Sequence, residues 1–80
     1  MKIIVLNLPR TITTNELKEV FKPYGEVINC NIVIDSQTGK SKGFGFAEMS
    51  KEIEAKKAIE NLHGTLLLKK KIRVKISNKI

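Results

Sequence analysis

Residues 42–49, which read KGFGFAEM, decide how the rest of this chain is interpreted. Successive side chains of a β-strand point to opposite faces. One face of this strand would therefore carry the aromatic and charged residues, Lys42, Phe44, Phe46 and Glu48. The other face, Gly43, Gly45, Ala47 and Met49, is predicted to pack on the core, since burying the charged groups would be costly and small side chains let helices come close. Two rings then lie on an uncovered sheet face, which indicates a binding surface.

Composition and charge limit the classes of protein to which this chain can belong. Eighty residues fit one domain, expected to cover residues 1–80, and a net charge of +7 is high for so short a chain. Such a surplus favours an anionic partner, with nucleic acid first and an acidic membrane surface second. The single cysteine, Cys30, excludes an internal disulfide and a thiolate metal site. The apolar run at residues 3–8 is too short for a membrane span or a signal peptide, so a cytoplasmic location is expected.

On the N-terminal side, the pattern predicts a strand followed by a helix. Residues 3–8 (IIVLNL) are apolar on both faces, as in a central strand, and Pro9 with the arginine after it would end that strand. Thr13 and Glu16 have the spacing of a capping box. A helix is therefore expected to begin directly after the capping threonine and to end at Pro23.

A hairpin is predicted next. Residues 27–34 (VINCNIVI) alternate, and a polar loop at residues 35–41 joins them to residues 42–49. The face of this second strand that is expected to meet the core carries Ile28, Cys30, Ile32 and Ile34. The opposite face carries Asn29, Asn31 and Val33.

The C-terminal third predicts a second helix and a last strand. Ser50 is expected to cap a helix over residues 51–62, whose buried stripe would be Ala55, Ala58, Ile59 and Leu62. Residues 65–68 predict a short strand or extended segment, residues 69–71 a turn, and residues 72–76 (IRVKI) a half-buried strand. The resulting order predicts an α+β, ferredoxin-like βαββαβ fold, a four-stranded antiparallel sheet with two helices on one face.

The same alternation predicts which residues form the sheet face that the helices leave open. It is expected to have an apolar and aromatic centre with a mostly cationic rim, formed by Ile4, Leu6, Asn29, Asn31, Val33, Lys42, Phe44, Phe46, Glu48, Arg73 and Lys75. Rings beside cations suit single-stranded nucleic acid, because bases stack on the rings and cations reach the phosphates. The two asparagines offer donors and acceptors to unpaired base edges. Residues 69–79 add a run with six basic residues and no acid.

These residues carry a family resemblance. Residues 42–49 resemble the eight-residue ribonucleoprotein motif of the RNA recognition motif, and residues 3–8 resemble its six-residue partner on the first strand. The resemblance covers about residues 2–76, and the short chain looks like the stand-alone single-domain members found in bacteria. It implies that Phe44 and Phe46 contact bases or sugars and that Lys42 contacts a phosphate.

The chain departs from the family pattern at three places. Ile4 occupies the position where the six-residue motif usually has an aromatic, so one stacking ring is missing. Met49 stands where the eight-residue motif commonly ends on an aromatic, and it is expected to affect packing more than binding. Lysines 69–71 replace the glycine usual in the turn before the last strand.

The leading hypothesis is a monomeric, non-catalytic protein that binds single-stranded RNA, with single-stranded DNA left open, and that needs no cofactor, metal or membrane. The predicted RNA-binding residues are Lys42, Phe44, Phe46, Ile4, Leu6, Asn7, Asn29, Asn31, Glu48, Arg73 and Lys75. Asn7 could equally serve the turn after the first strand. The alternative is a protein-interaction module on the same fold, which the missing ring at Ile4 keeps open. A third class, an acylphosphatase or metal chaperone, lacks its anion-binding loop or its paired cysteines.

Overall fold

A four-stranded antiparallel sheet and two helices form the protein, and the computed structural model describes residues 1–77. The elements in chain order are β1 Lys2–Leu6, α1 Thr14–Phe21 with a short 3-10 helix after it at Lys22–Tyr24, β2 Val27–Ile34, β3 Ser41–Met49, α2 Glu52–Leu62, β4 Leu66–Leu67, β5 Lys70–Lys71 and β6 Arg73–Ile76. The sheet order is β2-β3-β1-β6, and β4 pairs only with β5 in a separate small hairpin. The predicted ferredoxin-like βαββαβ fold is confirmed.

The core lies between one face of the sheet and both helices. Most of its fully buried members come from alternate positions of the strands and from one stripe of each helix: Ile3, Val5, Ala47, Met49, Val74, Leu17, Phe21, Ala55 and Ala58. Two more, Leu8 and Ile72, lie just outside β1 and β6. Burial of each large side chain among them contributes about 1.5–3 kcal/mol. Because Gly45, Ala47 and Met49 are all buried, the predicted orientation of β3 is confirmed.

Position 45 requires glycine for a reason that its sequence context does not indicate. A Cβ built on Gly45 would lie 2.6 Å from the backbone oxygen of Asn31 and 3.1 Å from the Cα of Ile32, both on the neighbouring strand β2. A separation of 2.6 Å is too short for a Cβ atom and an oxygen, so any side chain at position 45 would force the backbone to shift. The expectation that this position is small in order to admit a helix was therefore incomplete, since the close approach is between strands.

The two helices begin differently. At α1 the predicted capping box is present: the Glu16 N–H donates to the Thr13 hydroxyl, and the Thr13 N–H donates to the Glu16 carboxylate at 2.9 Å. At α2 the prediction that Ser50 caps the helix was wrong, because Lys51 is the N-cap residue and no side chain caps it. The Ser50 N–H instead donates to the carbonyl of Glu26, which extends the strand pairing by one residue.

Strand β2 departs from strict alternation at two places. Val27 pairs with Met49 and Asn29 pairs with Glu48, so Ile28 is an extra, unpaired residue of a β-bulge. A second irregularity separates the pairing of Ile32 from that of Ile34. Ile28 and Ile34 are consequently 56% and 52% exposed, and their predicted core positions were wrong. Val27 packs against the core in place of Ile28.

Two further boundaries were misplaced, and one residue on the core face of β6 is exposed. Strand β1 ends at Leu6 and not at Leu8, because Asn7 has a φ of +59° and turns the chain. The turn predicted at residues 69–71 is at Leu68 and Lys69, which have φ values of +49° and +72°, while Lys70–Lys71 form β5. Ile76 lies on the edge strand and is 48% exposed, although its register places it opposite the buried Ile3.

Candidate nucleic-acid interface

A row of four residues crosses the centre of the open sheet face. Asn31 on β2 pairs with Phe46 on β3, Phe46 pairs with Ile4 on β1, and Ile4 pairs with Lys75 on β6. Directly opposed residues share a face and have Cβ atoms about 4.5–5.5 Å apart. The ring of Phe46 is therefore flanked by an amide on one side and by an apolar side chain on the other, with a cation at the sheet edge.

Two neighbouring pairings extend this face along the strands. Leu6 pairs with Arg73, and both lie on the same side as the central row because they are two residues away from Ile4 and Lys75. In the other direction, Glu48 pairs with both Asn29 and Lys2. The structure thus brings the predicted strand residues together on one surface.

Phe44 and Phe46 form an edge-to-face pair on this surface. Their ring centroids are 6.2 Å apart and their planes meet at 81°. Both side chains are half-buried, so each is held by its neighbours while part of the ring stays open to solvent. Because the rings are nearly perpendicular, two bases stacked on them would be splayed apart and not stacked on each other.

A concave pocket lies beside Phe44, where the loop between β2 and β3 meets the segment after β1. Its cationic side chains are Lys42, which the sequence predicted, and two that sequence reasoning missed, Arg10 and Lys40. We call these three residues the basic corner. The missed residues lie in loops, where strand alternation assigns no face, and the only signal for them was their charge next to the motif.

The loop of the basic corner is held by its own hydrogen bonds. The Asp35 N–H donates to the carbonyl of Lys40 and the Gly39 N–H donates to the carbonyl of Asp35, both at 2.8 Å. The Asp35 carboxylate accepts from the Gln37 N–H, also at 2.8 Å. These bonds fix the backbone that carries Lys40, and they employ the one acidic residue of the pocket within the loop.

A second concave pocket lies beside Phe46. It is lined by that ring together with Asn29, Asn31, Glu48 and Lys2, and we call it the amide pocket. Sequence reasoning missed Lys2, although it has the same strand parity as Ile4 and could have been found by extending β1 backwards by one residue. The two pockets place different chemistry beside the two rings: three cations at Phe44, and two amides with a carboxylate and one lysine at Phe46.

Asn7 has a structural role that the sequence left open. Its left-handed backbone conformation is one that asparagine tolerates, and its side-chain amide donates to the carbonyl of Lys71 at 2.7 Å. The amide nitrogen therefore ties the end of β1 to β5. Next to it, the Leu8 N–H donates to the carbonyl of Gly43, whose φ of +86° is one that glycine adopts readily.

Cys30 and His63 are the two residues with potential for nucleophilic or acid–base chemistry, and each of them contacts other parts of the fold. Burial raises the pKa of the Cys30 thiol, and the nearby cation of Lys18 offsets only part of that rise. The imidazole of His63 accepts a hydrogen bond from the Val74 N–H at 3.0 Å, so it connects the end of α2 to β6. Among residues 1–77, no group of three or more metal-ligating side chains comes together, and no helix is long and apolar enough to cross a membrane.

Comparison with known proteins adds an independent finding. The family model for the RNA recognition motif matches residues 3–73. The chain is 38% identical over 76 residues to the chloroplastic 28 kDa ribonucleoprotein of Spinacia oleracea, a match that covers 95% of this chain and 33% of that protein. The chain spans a third or less of the curated relatives that it matches.

Solved structures give the same result at the level of the fold. The crystal structure of RNA Binding Protein PG1 is 35% identical with a TM-score of 0.96, and the match covers 100% of this chain and 96% of that one. The Sxl-lethal protein/RNA complex is 31% identical with a TM-score of 0.91, over 96% of this chain and 46% of that one.

Proposed function

This chain belongs to the RNA recognition motif family, and we propose that it binds single-stranded RNA on the open face of its sheet. The observation that carries the proposal is the central row, in which a half-buried ring lies between an exposed amide and an apolar side chain with a cation beyond. Core packing does not account for this arrangement, because the core lies on the other face. A similar structure in complex with RNA supports the proposal.

Each part of the face has a role in this proposal. One base stacks on Phe46 and another on Phe44, each contributing about 1–3 kcal/mol, and Ile4 and Leu6 make apolar contact with the intervening sugar or base. The cations of the basic corner and of the β6 edge, Arg73 and Lys75, contact phosphates. With two rings in place of the usual three, the site takes about two to four nucleotides with modest affinity.

The proposed activity is binding without catalysis. This is supported by the two side chains best suited to nucleophilic or acid–base chemistry, since the Cys30 thiol has a raised pKa and the His63 imidazole accepts a backbone hydrogen bond. We also propose that the protein acts as a monomer. Ribonucleoproteins and a polyadenylate-binding protein among the relatives favour a post-transcriptional role. The cytoplasmic location and the single-domain organisation stay predictions.

The proposal is tested by removing each ring. We expect Phe44→Ala and Phe46→Ala each to weaken binding to a fluorescently labelled single-stranded RNA by about 5- to 100-fold, the loss of one stacked base. Fluorescence anisotropy at several salt concentrations measures the affinity, and the weakening should persist at each of them. Ile53→Ala is the matched control, because Ile53 is apolar, 74% exposed and on α2.

Two results would contradict the proposal. One is an unchanged affinity in both phenylalanine variants, and the other is a folded wild-type protein that binds no member of a random RNA pool. In the second case, recovery of a protein partner would favour the interaction-module alternative. Competition with single-stranded DNA of the same sequence measures how far the site depends on the 2′-hydroxyl, which only RNA carries.

A further inference from the structure

The amide pocket contains polar groups that the protein itself does not use. Asn29 and Asn31 are exposed and Glu48 is half-buried. Within residues 1–77, none of these three side chains has a hydrogen bond or an ion pair with another residue. They are therefore available to a ligand, whereas the amide of Asn7 on the neighbouring loop is already occupied.

Glu48 carries a negative charge on a surface that is proposed to bind a polyanion. A carboxylate repels phosphates, so its presence in a site of a chain with a net charge of +7 does not serve contact with phosphates. An ionised carboxylate only accepts hydrogen bonds. The groups of a nucleotide that it can bind favourably are donors, namely the ribose 2′-hydroxyl and the N–H groups on the edge of a base.

The register places this carboxylate where a base edge would be. Glu48 lies two residues along β3 from Phe46, about 7 Å away on the same face, and Asn29 lies directly across from it. Asn31 lies directly across from Phe46. A base stacked on the Phe46 ring therefore has two amides and one carboxylate around its edge, with Lys2 across from the carboxylate on β1.

The arrangement of hydrogen-bond acceptors and donors in this pocket fits one base best. Guanine presents N1–H and its 2-amino group side by side, which match the two oxygens of a carboxylate, and its O6 next to them accepts from an amide. Adenine and cytosine present an amino group beside an acceptor, and uracil presents one N–H between two acceptors, so each places an acceptor towards the carboxylate. Resting on the proposed function, we propose that Glu48, with Asn29 and Asn31, makes the Phe46 position selective for guanine.

The test uses four short RNAs that differ at one nucleotide, UUGUU, UUAUU, UUCUU and UUUUU. We expect the protein to bind UUGUU about 5- to 100-fold more tightly than the other three, the discrimination given by one good bidentate contact to a base. A fifth RNA with inosine in place of guanine keeps N1–H and O6 but lacks the 2-amino group. Its affinity should lie between those for UUGUU and UUUUU.

The variant Glu48→Gln assigns the effect to the carboxylate, because it removes the charge and one acceptor while it preserves the shape. Its affinities for UUGUU, the inosine RNA and UUUUU should agree within about twofold, and binding to UUUUU should be unchanged or slightly tighter. The matched control is Glu60→Gln, an exposed acid on α2, which should keep the guanine preference.

The outcomes separate this inference from the proposed function. Equal wild-type binding of the four RNAs, or preference for a base other than guanine, overturns the guanine assignment and leaves RNA binding standing. A guanine preference that survives in Glu48→Gln overturns the role of Glu48. Failure of the wild-type protein to bind any of the RNAs overturns the proposed function itself.

Discussion

At Gly45, one missing methyl group lets two strands approach each other. A Cβ there would meet the backbone of Asn31 and Ile32, neither of which can move without shifting β2. We expect Gly45→Ala to lower the free energy of unfolding by about 1–3 kcal/mol, the usual cost of overpacking, as measured by urea denaturation. RNA affinity should also fall in the folded variant, because β2 carries both asparagines of the amide pocket.

The matched control for this substitution is Gly39→Ala. Gly39 has a φ of +71° but open space around it, so alanine there should incur only the backbone strain, about 1 kcal/mol. A Gly45→Ala protein as stable as the wild type would contradict the close approach between the strands. The alternation of residues 42–49 correctly predicted that Gly45 is buried, but only the folded structure shows which atoms it meets.

Cys30 gives a prediction about reactivity. Because burial raises the pKa of its thiol, a smaller fraction is thiolate at any pH below that pKa, and thiolate is the reactive form. We expect an aromatic disulfide reagent at pH 8 to label Cys30 several-fold more slowly in the folded protein than in urea. Lys18→Ala should slow labelling further, since the lysine opposes the rise in pKa. Lys57→Ala should not, and equal rates in folded and unfolded protein would refute the prediction.

Among the elements, the hairpin of β4 and β5 has the least favourable turn chemistry. Its two turn residues, Leu68 and Lys69, both have positive φ values, a type I′ arrangement that favours Asn-Gly. We expect the double variant Leu68→Asn with Lys69→Gly to raise the free energy of unfolding by about 1–2 kcal/mol, measured by urea denaturation. Lys69→Gln, which removes the charge but not the strain, should change it little. An unchanged midpoint in the double variant would contradict strain at this turn.

The same elements show which features a sequence pattern can predict. The capping box of Thr13 and Glu16 and the alternation of β3 were read correctly, because each depends on residues close together in the chain. The bulge at Ile28 was not, since it arises from the pairing of β2 with β3 and leaves no mark in the spacing of apolar residues. Ser50 failed as a cap for a similar reason: its N–H is bound to a residue 24 positions earlier in the chain, Glu26.

Across the whole molecule, some residues of the site follow from the alternation of single strands, and others are brought together only by the topology of the fold. The residues of the central row were predictable because strand parity and strand order together place them on one face. Strand parity could not place Arg10 and Lys40, because two loops that are far apart in the chain meet only after the strands have paired. The separation into a basic corner and an amide pocket is therefore a property of the folded chain, and it is open to measurement.

Salt dependence measures whether the basic corner contacts phosphates or only adds to the overall charge. Each phosphate bound on a single strand contributes about 0.7 to the slope of log affinity against log salt concentration. We expect Arg10→Ala with Lys40→Ala to reduce the slope by about 0.7 for each phosphate that the variant no longer binds, as measured by anisotropy between low and physiological salt. Lys18→Ala with Lys57→Ala is the control, because both lysines are exposed on the helices and each double variant removes two charges from the net charge of +7. The control should keep the wild-type slope, since the helices cover the opposite face of the sheet. Equal slopes in the two double variants would mean that the basic corner acts only through the overall charge of the protein.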